Sequence, residues 1–460
     1  MAAAGILDFA YRYRFASEVR DHAGLIGLRL ATISGTESPT ELHPYFFDGQ
    51  IKRPRVVADT LLALSQVVRT HFFLPQPAML DPVVTCNDAV LRFEGFSGCC
   101  GVYARVDFDT AAFDGPIVGH GTTNVDFNNA LRVGLSRLRQ VRSARLAVGA
   151  SELSLHVEER EIVEKKVKLP LRWIKSFSEV QAYLPQLRLM HEISGAELVR
   201  FIRGLPRGAA HNRAAWVVPA GRGLRLSQRE QPDGVRVLAT DRLRVLESVA
   251  SEAATIRVWS SDSGVSAWEI RFEAVRFWLV LSPELYRGFS GEGQVLTTLA
   301  RDDWQNVLDQ VRAQLNWQAR VDAAQVADRC RLPESEVTVA LVVLGTRGVV
   351  GYDLSEARYF HRELPFAMSR VEDLQPRLQA ARKLLAEKQV RLHRRLDAGN
   401  MELLVRGSEV EHLVRLSPEL DRCSCPWFGR HQGERGPCKH ILAARLFVEE
   451  TSNHTAEKSE

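Results

Sequence analysis

Near the C-terminus the chain reads Cys423-Ser-Cys425, then twelve residues, then Cys438-Lys-His440. Three thiols and an imidazole make a complete tetrahedral donor set for one Zn²⁺. No position is left for water, so the chemistry implied is structural and not catalytic. A C-x-C step suits a ligand pair presented from an extended turn. Pro437, followed by the run Ile441 to Phe447, announces a helix start at the second pair. Two strand-like runs precede the site, Met401 to Arg406 and Val410 to Leu416, separated by Gly407-Ser408. Hairpin, ligand pair, loop and ligand pair on a helix predict a ββα zinc module over residues 401–450.

These residues resemble the SWIM-type zinc finger, whose pattern is C-x-C, a variable loop, then C-x-H. All four ligand positions match, as do the hairpin before them and the helix after. The resemblance spans residues 400 to 450 and implies zinc, with a role as a DNA-binding or protein-interaction module. The layout of the whole chain is also similar to bacterial multidomain SWIM proteins encoded beside MoxR-type AAA ATPases and von Willebrand A-type proteins. That similarity implies a protein partner from such a system.

The elements that carry the module belong to a chain of 460 residues, too long for one core and expected to form several domains. Hydrophobic content of 45% and charged content of 25% are ordinary for a soluble globular protein. No apolar run approaches the length of a membrane helix, and the start Met1-Ala-Ala-Ala-Gly-Ile-Leu7 lacks the features of a secretion signal. A net charge of +4 permits nucleic-acid binding without arguing for it. Of seven cysteines, Cys86, Cys99, Cys100 and Cys330 stand outside the zinc set among hydrophobic neighbours. That usage fits a reducing compartment and a cytoplasmic protein, with the adjacent Cys99-Cys100 acting as small buried hydrophobes.

The expected fold class is α+β, multidomain. Residues 1–150 read as an α+β domain of unknown role. It has a strand start at Phe9 to Phe15, a loop at Glu41 to Pro54 and a helix at Val56 to Val68. Period-two strands follow at Val90 to Phe96 and Gly101 to Phe108, then a helix at Val125 to Val141. Residues 151–300 read as a second α+β domain, with strands at Leu153 to Val157 and Val163 to Leu169, helices at Leu171 to Leu187 and Gly195 to Ile202, and a hairpin of Thr255 to Trp259 with Ser266 to Phe272. One constellation allows an enzyme reading of residues 1–300: Cys99 or Cys100 as nucleophile, His120 as base and Asp126 as orienter. The sequence supplies no nucleophile elbow, and His120 to Asn124 reads equally as a turn.

Residues 301–366 read as a helix plus a winged-helix-like domain. Helices are expected at Ala323 to Cys330 and Ser335 to Leu344, with a wing of Val349 to Asp353 and Ala357 to His361. The outward residues of the second helix, Glu334, Ser335, Thr338, Val339 and Val342, are acidic and apolar, which argues against base reading. They fit contact with another protein or with the preceding domain. Residues 367–400 read as a basic connecting helix from Asp373 to Asp397 that carries Arg391, Arg394 and Arg395. Together with Trp427, Phe428, Arg430, Arg435 and Lys439 these make a candidate nucleic-acid or partner-binding surface. Residues 451–460 read as a disordered tail. The function expected is a zinc-binding, non-enzymatic interaction protein. The alternative is an enzyme with a Cys/His-based site in residues 1–300.

Overall fold

The computed structural model describes residues 9–10, 18–22, 25–34, 46–70, 72, 82–115, 119–125, 127–141, 144–148, 152–155, 168–169, 171–207, 214–285, 288–291, 293, 295–296, 305–364, 375–396, 400–407, 410–417 and 420–456. Helix and sheet are mixed. Among the described residues most of the strands enter one 14-stranded sheet. At its centre lie Val90–Phe96 (β1), Val102–Asp109 (β2) and Val275–Leu281 (β3). Beyond β3 come Ser266–Phe272, Thr255–Ser260 and Arg188–Ser194. Beyond β1 come Val83–Cys86, Gly121–Val125, Leu25–Ser34, Glu152–Leu155, Arg145–Val148, Phe47–Ile51 and Phe113–Asp114, with Glu18–His22 pairing on Leu25–Ser34 off this path.

β2 and β3 pair antiparallel over seven residues, from Val275 opposite Phe108 to Leu281 opposite Val102. The separate domains expected for 1–150 and 151–300 therefore share one sheet, and a division at 150 falls inside it. The expected loop of 41–54 likewise holds the strand Phe47–Ile51, paired with Arg145–Val148. Asp48 and Gly49 mask it as a turn in the sequence. Of the strand expected at Val163 to Leu169, only Lys168–Leu169 lies within the described residues. Of that expected at Phe9 to Phe15, only Phe9–Ala10 does.

Pro54–Arg69 (α1) starts at a proline in its first turn and buries Val57, Leu61, Leu64, Val67 and Val68 against the apolar side of β1 and β2. The opposite side of the same hairpin is polar: Arg92 and Glu94 on β1, Arg105 and Asp107 on β2. Such a stripe would normally face water, yet all four are buried. Leu171–Tyr183 (α2) covers one end of this side, where Phe96 packs on Phe177 with ring centroids 4.9 Å apart.

The other end is covered by a unit of Ala323–Cys330 (α3), Glu334–Thr346 (α4) and the hairpin Val350–Asp353 (β4) with Arg358–His361 (β5). Asp353 accepts from Arg105 at 3.0 Å and from Arg276 at 2.8 Å. Arg92 donates to Asp107 at 2.7 Å and lies 3.4 Å over the Phe360 ring. Arg362 pairs with Glu94, which also accepts from Tyr103 at 2.6 Å. Burial works against ionised carboxyls at Asp107 and Asp353. The surrounding guanidinia, Arg105 foremost, nevertheless hold both below the usual carboxylate range. The unit also meets α2, since Ser178 donates to the Thr346 carbonyl at 2.6 Å and the Tyr352 amide donates to Gln181 at 2.7 Å.

The C-terminal module comprises Pro376–Ala386 (α5), Val390–Arg395 (β6), Met401–Arg406 (β7), Glu411–Leu416 (β8), Arg422–Cys423 (β9), Pro426–His431 (α6) and Lys439–Ala456 (α7). The single basic helix expected over 373–397 is corrected. α5 stops at Ala386, Lys388 takes a left-handed φ of 54°, and the Gln389 amide donates to the Leu384 carbonyl at 2.9 Å. That pattern closes a helix, and the chain continues as strand β6. The expected hairpin is accordingly a four-stranded sheet in the order β6-β7-β8-β9. α7 runs to Ala456, through most of the expected tail. One core joins Leu403, Val405, Val414 and Leu416 of the sheet to Leu378 and Ala381 of α5 and to Ile441, Leu442, Ala443, Ala444 and Leu446 of α7, with Val295 and Leu296 inserted from the preceding body.

Candidate metal centre

β9 delivers Cys423, and two residues on Cys425 caps α6, its Sγ accepting from the Phe428 amide at 3.4 Å. Cys438 stands just before α7 and accepts from the Ile441 amide at 3.5 Å. His440 follows in the first turn of α7. One potential ligand atom from each of the four residues lies within 4.8 Å of the others, and all four are buried. His440 Nδ1 is 3.8 Å from Cys423 Sγ, and its buried Nε2 finds no hydrogen-bond partner. His412 packs on the same imidazole with centroids 4.4 Å apart.

Three thiols this close compete for protons. Hydrogen bonds from Cys423 and then Cys438 hold the Cys425 thiol well below its usual range, and the bond to Cys425 pushes Cys423 well above it. A divalent cation resolves that conflict by taking all three as thiolates. The donor set, its burial, the amides aimed at sulfur and the imidazole Nδ1 beside Cys423 Sγ all fit a metal. Cys423, Cys425, Cys438 and His440 would hold it, and it would tie β9, α6 and α7 together.

The basic candidates divide into two groups. Arg391, Arg394 and Arg395 lie on β6. Arg391 meets Glu411 at 3.1 Å, while Arg394 and Arg415 flank Glu402 at 2.8 and 2.5 Å. Hydrogen bonds from Arg415 and then Arg394 hold the Glu402 carboxyl below its usual range. Arg430, Arg435 and Lys439 surround the metal loop instead. Arg435 approaches Glu284 at 3.7 Å, Arg430 is exposed and Lys439 is half-buried. Trp427 and Phe428 are partly buried against the module core, and the Arg377 guanidinium covers Trp427 at 4.6 Å. Arg377 also donates to the carbonyls of Arg435 and Pro437 at 2.8 and 2.9 Å. This brace on the metal loop had no local signal in the sequence.

The Cys/His constellation of residues 1–300 is not assembled. Cys99 and Cys100 sit in the turn between β1 and β2, with Cys99 Sγ 3.4 Å from Ser97 Oγ. His120 adjoins Gly121, which pairs with Cys86 beyond the far end of β1, and stacks on Trp317 at 5.3 Å. The seven residues of β1 separate the two places by about 23 Å. Asp126 lies outside the described residues. No disulfide joins any of the seven cysteines. No described helix is long and apolar enough to cross a membrane.

Residues 412–446 match the SWIM zinc finger family model. Among solved structures, the proliferating cellular nuclear antigen of Entamoeba histolytica is similar at 13% identity and a TM-score of 0.34, covering 52% of this chain and 99% of its own. The PCNA2-PCNA3 complex of Sulfolobus tokodaii is similar at 9% identity and a TM-score of 0.34, covering 52% and 100%. No curated protein matches the chain.

Proposed function

We propose that the chain is a cytoplasmic, zinc-binding, non-enzymatic interaction protein, in which one structural Zn²⁺ holds the C-terminal module in shape for a protein partner. The observation that carries this is the closed, buried set of Cys423, Cys425, Cys438 and His440 within 4.8 Å of one another. It offers a metal four protein donors and substrate none. A protein partner is favoured over nucleic acid by the fate of the aromatics, since Trp427 and Phe428 support the module core and Arg377 covers Trp427. Single strands bind by stacking on exposed rings.

The unit of α3, α4, β4 and β5 is, in this proposal, winged-helix-like and used for packing. The exposed start of α4 carries Glu334 and Glu336, which repel phosphates, and its other end is buried against α2. A partner of the AAA ATPase or von Willebrand A type fits the same scheme.

The test is elemental analysis of full-length protein purified without chelators, with anisotropy titrations against single- and double-stranded DNA and RNA at low salt. One zinc per chain and no nucleic-acid binding are expected. Zinc-free protein overturns the metal assignment. Binding that weakens steeply with salt overturns the protein-partner assignment.

A further inference from the structure

α5 and α7 cover one face of the four-stranded sheet, and among the described residues no helix packs across the opposite face. Its register places Arg391 beside Leu404 and Leu413, and Arg394 beside Glu402 and Arg415. Along the four strands six arginines (Arg391, Arg394, Arg395, Arg406, Arg415 and Arg422) meet two carboxylates, Glu402 and Glu411. Exposed apolar side chains flank this edge on both faces: Leu413 is 39% exposed on the open face, Leu392, opposite the core residue Leu403, is 40% exposed on the other, and Leu420 and Val410 beside the strands are 50% and 60% exposed. Among the described strands no Phe, Tyr or Trp stands on this face to stack a base.

β6 is the end strand, hydrogen-bonded to β7 alone among the described strands, and residues 391–395 are all exposed. The Arg406 amide donates to Gln389, and the Leu396 amide donates to Asn400. Between these two closed pairs the antiparallel alternation turns the N–H and C=O groups of Val390, Leu392 and Arg395 toward the free edge. An open edge of this kind is a template for one more strand, and the usual protections of a short strand and charged side chains leave it soluble while unoccupied.

We propose that the β6 edge takes up an extended acidic peptide of the partner protein as a fifth strand. Main-chain hydrogen bonds to Val390, Leu392 and Arg395 set its register. Alternate carboxylates fall beside Arg391 and Arg394, whose guanidinia keep donors to spare after meeting Glu411 and Glu402. The residues between, aliphatic, cover Leu392. The charge imbalance selects the acidic partner, and the edge selects its extended backbone. The proposal rests on the protein-partner function above and specifies its surface.

The test uses full-length, zinc-loaded protein and a fluorescein-labelled peptide of alternating glutamate and valine, followed by anisotropy at low salt. Saturable binding is expected, and alternate N-methylation of the peptide, which removes its edge donors without altering its charge, should weaken it about tenfold or more. Leu392→Pro, which removes an edge donor, should weaken it similarly with zinc content and unfolding midpoint unchanged. If that variant loses zinc, the N-methylated peptide alone decides. Equal affinity for the parent and N-methylated peptides overturns strand addition. So does absence of peptide binding to protein that carries zinc, an outcome that leaves the metal assignment standing. Tighter binding of a thymidine oligonucleotide than of the peptide overturns the peptide as occupant.

Discussion

Asp353→Asn isolates a single charge at the junction between the large sheet and the α3–α4 unit. The native carboxylate is 3% exposed and meets Arg105 and Arg276 at 3.0 and 2.8 Å. It also accepts the Ser355 and Glu356 amides at 3.1 Å, closing the β4–β5 turn. Asparagine keeps a carbonyl for those amides but removes the charge, so Arg92 and Arg105 are left to Asp107, and Arg276 to Asp107 with the more distant Glu269 and Glu356. Stranding buried guanidinia in this way costs on the order of 3 kcal/mol, because their desolvation is no longer offset. The assay is denaturant unfolding followed by tryptophan fluorescence at neutral pH, with Asp353→Ala as the comparison that loses the turn acceptor as well. The pH profile supplies the sign. Asp353 and Asp107 are held below the unfolded carboxylate range, so their contribution is complete above the unfolded pKa of about 4 and is lost as pH falls through the lower folded values. Wild type should therefore lose stability on acidification more steeply than Asp353→Asn. A variant within about 0.5 kcal/mol of wild type, with an unchanged acid limb, would refute the account of this junction.

Cys438→Ser should release zinc and loosen the segment from β9 to the start of α7, while the main transition of the 14-stranded sheet holds; calorimetry with elemental analysis checks both. Among the thiols outside the metal set, Cys330 is half-buried and should react first with a thiol probe. Burial pushes the Cys86 thiol up and encloses Cys100, so fast labelling of either would contradict the fold. Gly351→Ala should destabilise by about 1–3 kcal/mol in denaturant unfolding, because an added Cβ would lie 2.2 Å from Phe360 Cζ.

The cluster of Cys423, Cys425, Cys438 and His440 was legible because a four-donor set writes a local spacing into the sequence, and 412–446 carries it whole. α1 was legible from its apolar stripe. β6 was not. Leu378, Ala381, Leu385 and Leu392 continue a helical period by accident, and arginine and lysine suit a helix, but the stop at Lys388 and the pairing of β6 with β7 override that pattern. The unity of the sheet was also hidden, since nothing local in Val102–Asp109 announces a partner at Val275–Leu281. The alternation of Arg92 and Glu94 with apolar neighbours reads as one wet face, while the groups that cover it, Asp353 and Arg362, lie more than two hundred residues on.

The order in which a ribosome delivers these pieces gives the polar stripe a second meaning. β1 and β2 emerge early, but β3 closes the sheet beside β2 only after a further 160 or so residues, and the β4–β5 hairpin follows later still. Through that interval the hairpin shows solvent a side bearing Arg92, Glu94, Arg105 and Asp107. Charges so placed act as gatekeepers against edge-to-edge association of the nascent chain. When Asp353 and Arg362 arrive, the same groups become the sockets that receive them. Replacing the network with well-packed apolar residues could thus leave the finished protein stable and its synthesis prone to aggregation, a cost borne in yield of soluble chain and invisible to equilibrium unfolding.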